Sequence, residues 1–382
     1  MANMLDYLDW RGDITFEKDV FHSVDALILA QLSYLPCDQV VPDSFSESVT
    51  IAEAAAAFDP EHVDEKQISF CYEQDQELLK KLSASERFRD IRLTGYVSRT
   101  SDTDDSQFSA ITCLLPDGRS FISFRGTDGS IVGWKEDFNF SYMAETPGQR
   151  FAAEYVNAYG MISESEMLLG GHSKGGNFAV YASVFCEKAY QSRISRIFDF
   201  DGPGFRDEIA AMPEYTAMIP KISSIIPQSS LVGQLLTSNT EHQIVTSKAY
   251  GVGQHLAYSW EIMRHDFVYA DELSKFGTFI NRTMNSWLKE LDDETRRTLT
   301  DAIFDVIQAS DQETFYEMQQ HKLHSVRAIL KAMRQLEPEQ QAVLKQAIAK
   351  LAAQSKEALF PEKSSEKKQK QIADQSVSES EK

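Results

Sequence analysis

Apolar residues in the stretch 20–35 fall at Val24, Leu27, Ile28 and Leu35, the spacing of one helical face, and Pro36 ends the run. Residues 51–58 and 73–87 also read as helices. The pattern then changes. Residues 91–98, 108–115 and 120–124 are short runs rich in β-branched and aromatic side chains, which predicts strands. Pro116-Asp117-Gly118 between the last two is a tight turn, because Pro fixes φ and Gly tolerates positive φ. These strands predict an antiparallel start to a larger sheet.

From residue 150 helices and strands alternate. Residues 149–159 fit a helix, 167–169 a buried strand, 177–190 a helix and 194–200 another strand. Apolar strands separated by helices predict a parallel sheet covered on both faces. Residues 222–226 and 243–246 add strand candidates, and 259–350 read as mostly helical, with Leu288, Leu291, Leu299, Ile303 and Ile307 at helical intervals. From Pro361 the chain is rich in Lys, Glu, Ser and Gln, with too few apolar residues to offset the entropy of ordering. The expected organisation is an α/β core over 1–310, a helical extension over 311–360 and a disordered polar tail over 361–382.

Composition narrows the class of protein. Of 382 residues 42% are hydrophobic and 25% charged, as in ordinary globular chains. Asp and Glu total 58 against 38 Lys and Arg, a formal net charge of −20. Such a surface repels phosphate backbones and anionic membranes, so neither is an expected partner. Cys37, Cys71, Cys113 and Cys186 are far apart, with no C-x-x-C pair and no histidine at metal-ligand spacing. They read as reduced, mostly buried thiols, and no metal or cofactor is expected. The N-terminal stretch has acidic charges and no apolar core, so no signal peptide is expected, and no apolar run reaches membrane-spanning length. The expected location is cytoplasmic.

The sharpest motif is Gly170-Gly171-His172-Ser173-Lys174-Gly175-Gly176, which holds G-x-S-x-G at Gly171, Ser173 and Gly175. A nucleophilic serine must project from a tight strand-to-helix turn, and the residues two before and two after it must be small. Here an apolar strand enters the motif and a helix leaves it. Upstream, a strand ends at Arg125-Gly126-Thr127. An oxyanion hole of this type takes one N–H from the residue after the nucleophile, here Lys174, and one from the loop after an earlier strand, here Thr127. The Thr127 hydroxyl is a further candidate donor. Arg125 fits equally an ion pair with Asp137 or another carboxylate.

FRGT, then W-x-x-D, then G-H-S-x-G-G resembles the class 3 lipases, which are α/β-hydrolases. LDYLDWRGDITF near the start and GQHLAYSW later resemble, more narrowly, a bacterial family related to those lipases, over about residues 3–310. The resemblance implies the fold and supports Ser173 as nucleophile, and says much less about substrate.

Chain order in α/β-hydrolases is Ser, then Asp or Glu, then His. His22, His62 and His172 precede or adjoin the serine, and His321 and His324 lie in a charged helical region. Of His242, His255 and His265, His255 stands in a loop just after a strand candidate, where a mobile general base belongs. Class 3 lipases place an Asp after the second strand beyond the nucleophile, but residues 225–230 here hold no carboxylate. One strand earlier stand Asp199 and Asp201, on one face by strand alternation. Asp201 is at the strand's end, as in pancreatic-type lipases, and is preferred, with Asp199 left open.

The expected enzyme is therefore a serine carboxylester hydrolase acting on small or medium acyl esters, with Ser173, His255 and Asp201 as triad. Residues 210–218 and 231–236 fit an acyl pocket or a lid, and equally plain core packing. A peptidase, thioesterase or acyltransferase on the same triad, or a non-catalytic hydrolase-like interaction protein, are the competing classes.

Overall fold

The computed structural model describes residues 2–308 and 336–359. An eight-stranded sheet organises them, with its strands in sequence order: β1 Val49–Thr50, β2 Arg92–Ser101, β3 Ser106–Leu114, β4 Ser120–Phe124, β5 Met167–His172, β6 Ile194–Phe200, β7 Ile222–Pro227 and β8 His242–Val245. β1 to β4 pair antiparallel and β4 to β8 pair parallel. The parallel register sets Phe124 beside Gly171, Gly171 beside Asp199, and Phe200 beside Ile225. The carboxyl ends of these five parallel strands therefore lie along one edge, where open α/β sheets bind ligands.

The central strands are apolar on both faces because both are covered. Phe121, Leu168, Phe198 and Ile225 face a core shared with helix Ser23–Leu32 and Trp260. Ile122, Leu169 and Ile197 face the opposite core, built on helices Pro147–Ile162 and Lys174–Phe185. This is the expected α/β-hydrolase architecture. The segment 210–218 contributes Tyr215 and Met218 to that second core and does not line the site.

Two segments differ from the periodicity. The helix expected over 177–190 is two pieces, Lys174–Phe185 and Lys188–Gln191, because Cys186 is extended, at ψ 165°. Residues 260–270 are not helical. Ile262–Met263 and Asp266–Phe267 form a small hairpin, and Arg264 turns it at φ 60°. His265 lies in that turn, against His22, rather than on a helix. Helices begin at Lys275, as Lys275–Lys289, Asp293–Gln308 and Pro338–Leu359. His321, His324 and the tail from 361 lie outside the described residues. No helix among the described residues is long and apolar enough to cross a membrane. All four cysteines are buried and unpaired.

Helix Ser23–Leu32 carries a charge into its core. Asp25 meets Arg87 through two contacts of 2.6 and 2.9 Å and also accepts the Tyr7 hydroxyl at 2.8 Å. Both charged side chains are fully buried. Removing one partner strands the other charge, so Asp25→Ala is expected to cost about 3–5 kcal/mol. Urea denaturation measures this, and a loss under ~1 kcal/mol would contradict the buried-pair account.

Candidate active site

β5 runs straight into Ser173, whose backbone sits at φ 60°, ψ −131°, and helix Lys174–Phe185 starts at the next residue. A non-glycine residue at positive φ is strained, and strain of this kind gathers where a side chain must be presented. The flanking glycines are steric requirements. A β-carbon at Gly171 would strike the backbone of Gly175, and one at Gly175 would strike the carbonyl of Phe124 at the end of β4.

His255 approaches on a short 3₁₀ segment, Gly251–His255. Its Nε2 is 2.9 Å from Ser173 Oγ and its Nδ1 is 2.6 Å from Asp201 Oδ2. A carboxylate accepts only, so Nδ1 carries the proton and Nε2 is left to accept from the serine hydroxyl. The structure thus brings Ser173, His255 and Asp201 into one hydrogen-bonded chain. Asp201 stands just past β6 at φ 54°, fully buried. Its other oxygen, Oδ1, accepts the Ser230 hydroxyl and the Gly233 N–H at 3.1 Å. The segment after β7, which lacks a carboxylate, supplies donors to the carboxylate of the preceding strand.

Asp199 does something else. Its Oδ1 accepts the Gly202 N–H at 2.9 Å and its Oδ2 the Ser224 hydroxyl at 2.9 Å, and Ser224 in turn meets His242. Alternation along β6 does not govern Asp201, because the backbone leaves strand geometry there. Asp199 secures the turn that carries Asp201. Burial pushes its carboxyl up to about 7.

At the oxyanion side, the Thr127 hydroxyl is already committed, donating to Asp137 Oδ2 at 2.6 Å. That leaves Thr127 its N–H as the candidate donor. Burial pushes Asp137 up to about 6 even though Lys174 lies close by. The Lys174 side chain turns inward: Nζ meets the Gly133 carbonyl at 3.2 Å and Glu136 Oε2 at 3.3 Å, with both side chains fully buried. Glu136 also accepts the N–H groups of Gln107 and Gly148. The loop bearing Thr127 is therefore tied to the start of the elbow helix. Arg125 pairs with Asp128 at 3.2 Å, not with Asp137.

A cavity of about 290 Å³ opens onto Ser173. Leu231, Leu235, Met284, Leu288, Leu291 and Leu299 line its apolar side. The last four come from helices Lys275–Lys289 and Asp293–Gln308 and, for Leu291, the turn between them, and Pro338–Leu359 backs them by accepting the Trp287 indole N–H at the Ala347 carbonyl, 2.9 Å away. No cluster among the described residues suits a metal ion. Two side chains that chain order set aside or ignored, His172 and Tyr34, also border the cavity. No sequence signal marked Tyr34.

A family profile described as Mbeg1-like matches residues 82–305, more than half of the chain. Among solved structures the chain is similar to M37 lipase, at 15% identity over 56% of this chain and 70% of that one, with a TM-score of 0.36. It is similar also to the Rhizomucor miehei lipase propeptide complex, at 15% identity over 47% of this chain and 70% of that one, with a TM-score of 0.34. No curated protein matches.

Proposed function

The chain belongs to the Mbeg1-like family and is a class 3 lipase-related α/β-hydrolase, and from that premise we propose that it is a serine hydrolase cleaving carboxylic esters through an acyl-enzyme. The observation that carries this is the chain Asp201–His255–Ser173, at 2.6 and 2.9 Å, ending on a serine held at positive φ.

Asp201 fixes the His255 tautomer. His255 Nε2 takes the Ser173 proton as Oγ attacks the ester carbonyl carbon. The N–H groups of Thr127 and Lys174 hold the resulting oxyanion, and the helix N-terminus behind Ser173 favours the same charge. As the C–O bond breaks, His255 returns the proton to the leaving alcohol. Water then enters, gives a proton to His255 and releases the acyl group as a carboxylic acid, restoring Ser173. The Lys174–Glu136 pair and the Thr127–Asp137 bond keep both oxyanion donors in place before substrate arrives.

The apolar side of the cavity suits an acyl chain. An apolar cavity of about 150 Å³ holds a six-carbon benzene ring, so this one suits a chain of roughly a dozen carbons at most. The substrates are uncharged esters of small or medium acyl chains, in a cytoplasmic setting, with no nucleic acid, cofactor or stable membrane insertion involved.

A fluorophosphonate probe tests the nucleophile and a panel of nitrophenyl esters, thioesters and peptide amides tests the bond. Labelling of Ser173 in folded protein is expected, with ester turnover falling once the acyl chain exceeds about twelve carbons. Absence of labelling and of turnover across the panel would overturn the hydrolase assignment. Faster turnover of thioesters or amides would move it to another acyl-transfer class.

A further inference from the structure

The general base stands on a weak scaffold. Gly251–His255 and Ala257–Ser259 are short 3₁₀ turns, without the backbone ladder that fixes a strand or a long helix. What holds His255 must come from side chains packed against it.

Beside the bonds of Gln254 to Ser229 and Trp260, two buried connections reach it from the N-terminal part of the chain. In the first, His172 Nε2 lies 2.7 Å from the carbonyl oxygen of His255, and His172 Nδ1 lies 2.9 Å from the Tyr34 hydroxyl. A carbonyl only accepts, so Nε2 carries the His172 proton. Nδ1 is then an acceptor, and the Tyr34 hydroxyl donates to it. The direction of every bond is fixed: Tyr34 to His172 to the His255 carbonyl. The two imidazoles also lie against one another, tilted, with centroids 4.7 Å apart and planes at 33°. Burial pushes His172 down to about 3. The ring against His255 therefore stays neutral while His255 gains a proton, which avoids like-charge repulsion in the acylation step.

In the second connection, the Tyr258 hydroxyl donates to Asp75 Oδ1 at 2.7 Å. Asp75 is fully buried and also accepts Gln31 Nε2 at 2.8 Å and the Ser69 hydroxyl. Tyr258 is three residues from His255, so the same short segment is pinned at both ends. Tyr34 and Asp75 lie before residue 82, outside the part of the chain that the family profile covers.

We propose that Tyr34, acting through His172, is a positioning residue for His255, with Asp75 securing the far end of the segment through Tyr258. This rests on the triad assignment made above. Tyr34 touches neither the serine nor the acid. Its hydroxyl donates to Nδ1 and so supports the tautomer, and holds the ring orientation, in which Nε2 donates to the His255 carbonyl. Losing the donor frees the segment and lets the His255 ring drift from Ser173 Oγ.

Tyr34→Phe removes one oxygen and keeps the ring, so the fold is retained. Its kcat for the preferred nitrophenyl ester is expected to fall about tenfold with KM within about twofold, since misplacement of a reacting group by a fraction of an ångström has effects of this size. His172→Gln, which keeps an N–H donor near the carbonyl, is expected to retain more kcat than His172→Leu. Melting temperatures are recorded for all three. Proton NMR reads the positioning without turnover: the short bond from His255 Nδ1 to Asp201 predicts a far-downfield proton, which Tyr34→Phe should broaden by faster exchange with water. Kinetics and line width both unchanged in Tyr34→Phe would overturn the proposal, as would losses that merely follow the melting temperature across the set. An enzyme inert to every ester but showing the broadening would sink the hydrolase assignment and leave the positioning intact.

Discussion

Ser173→Ala is expected to lower kcat on nitrophenyl esters by about 10⁶-fold, the loss seen when a serine nucleophile or its base is removed from a working triad. At 1.36 kcal/mol per factor of ten, that is about 8 kcal/mol of transition-state stabilisation. The size follows from the arrangement. Ser173 is the one side chain the elbow presents to the cavity within reach of His255 Nε2. Alanine at φ 60° carries a β-carbon as serine does, so the backbone strain is unchanged and the melting temperature should hold. Fluorophosphonate labelling should vanish with turnover. Residual kcat above about one-thousandth of wild type, with the oxyanion donors alone expected to leave only ~10³–10⁴-fold over water, would mean that another group attacks the ester.

Asp201→Asn should cost about 10⁴ in kcat. The asparagine amide can turn its NH₂ toward His255 Nδ1, which then becomes the acceptor and moves the ring proton to Nε2. A protonated Nε2 cannot take the serine proton. Ser230 and Gly233 sharpen the effect, because they donate to the other oxygen and so hold the side-chain carbonyl on their side and the amide on His255. Asp199→Asn keeps an acceptor for the turn and should change kcat by no more than about fivefold, as expected of a group one shell removed from the chemistry. Steady-state kinetics of the pair decides the assignment: the opposite order of effects would make Asp199 the acid.

Much of this arrangement was legible in the chain because it depends on local rules. β4 and β6 are short apolar runs bounded by turns, and their sequence-read limits, 120–124 and 194–200, coincide with the strands. Glycines two residues either side of Ser173 mark a turn whose crowding no larger residue survives. Asp201 and His255 follow from their place after strands, because only there does a parallel sheet gather side chains from distant parts of the chain. Other features had no local signature. Tyr34 is 138 positions from His172, and Asp75 is 183 from Tyr258. Each pair meets only through packing across the sheet edge. His172 was set aside by chain order, a rule that finds a general base and is silent about a neutral ring bracing one. The periodicity of the C-terminal segment showed helices but not that Met284, Leu288, Leu291 and Leu299 face the serine. Trp260, Met263 and Phe267 fall at helical spacing, and the turn at Arg264, at φ 60°, overrode it.

Helix Ser23–Leu32 is buried on every side but one residue, against strands made long after it. Its partner β6 begins only at Ile194. At about 5–20 residues per second, translation leaves this oily segment waiting on the order of ten seconds or more for its cover. During that interval its apolar surface is open to self-association or to shielding by a chaperone. Slowing growth by lowering temperature lengthens the wait while weakening apolar attraction, so the yield of folded protein is set by a race among translation, shielding and self-association.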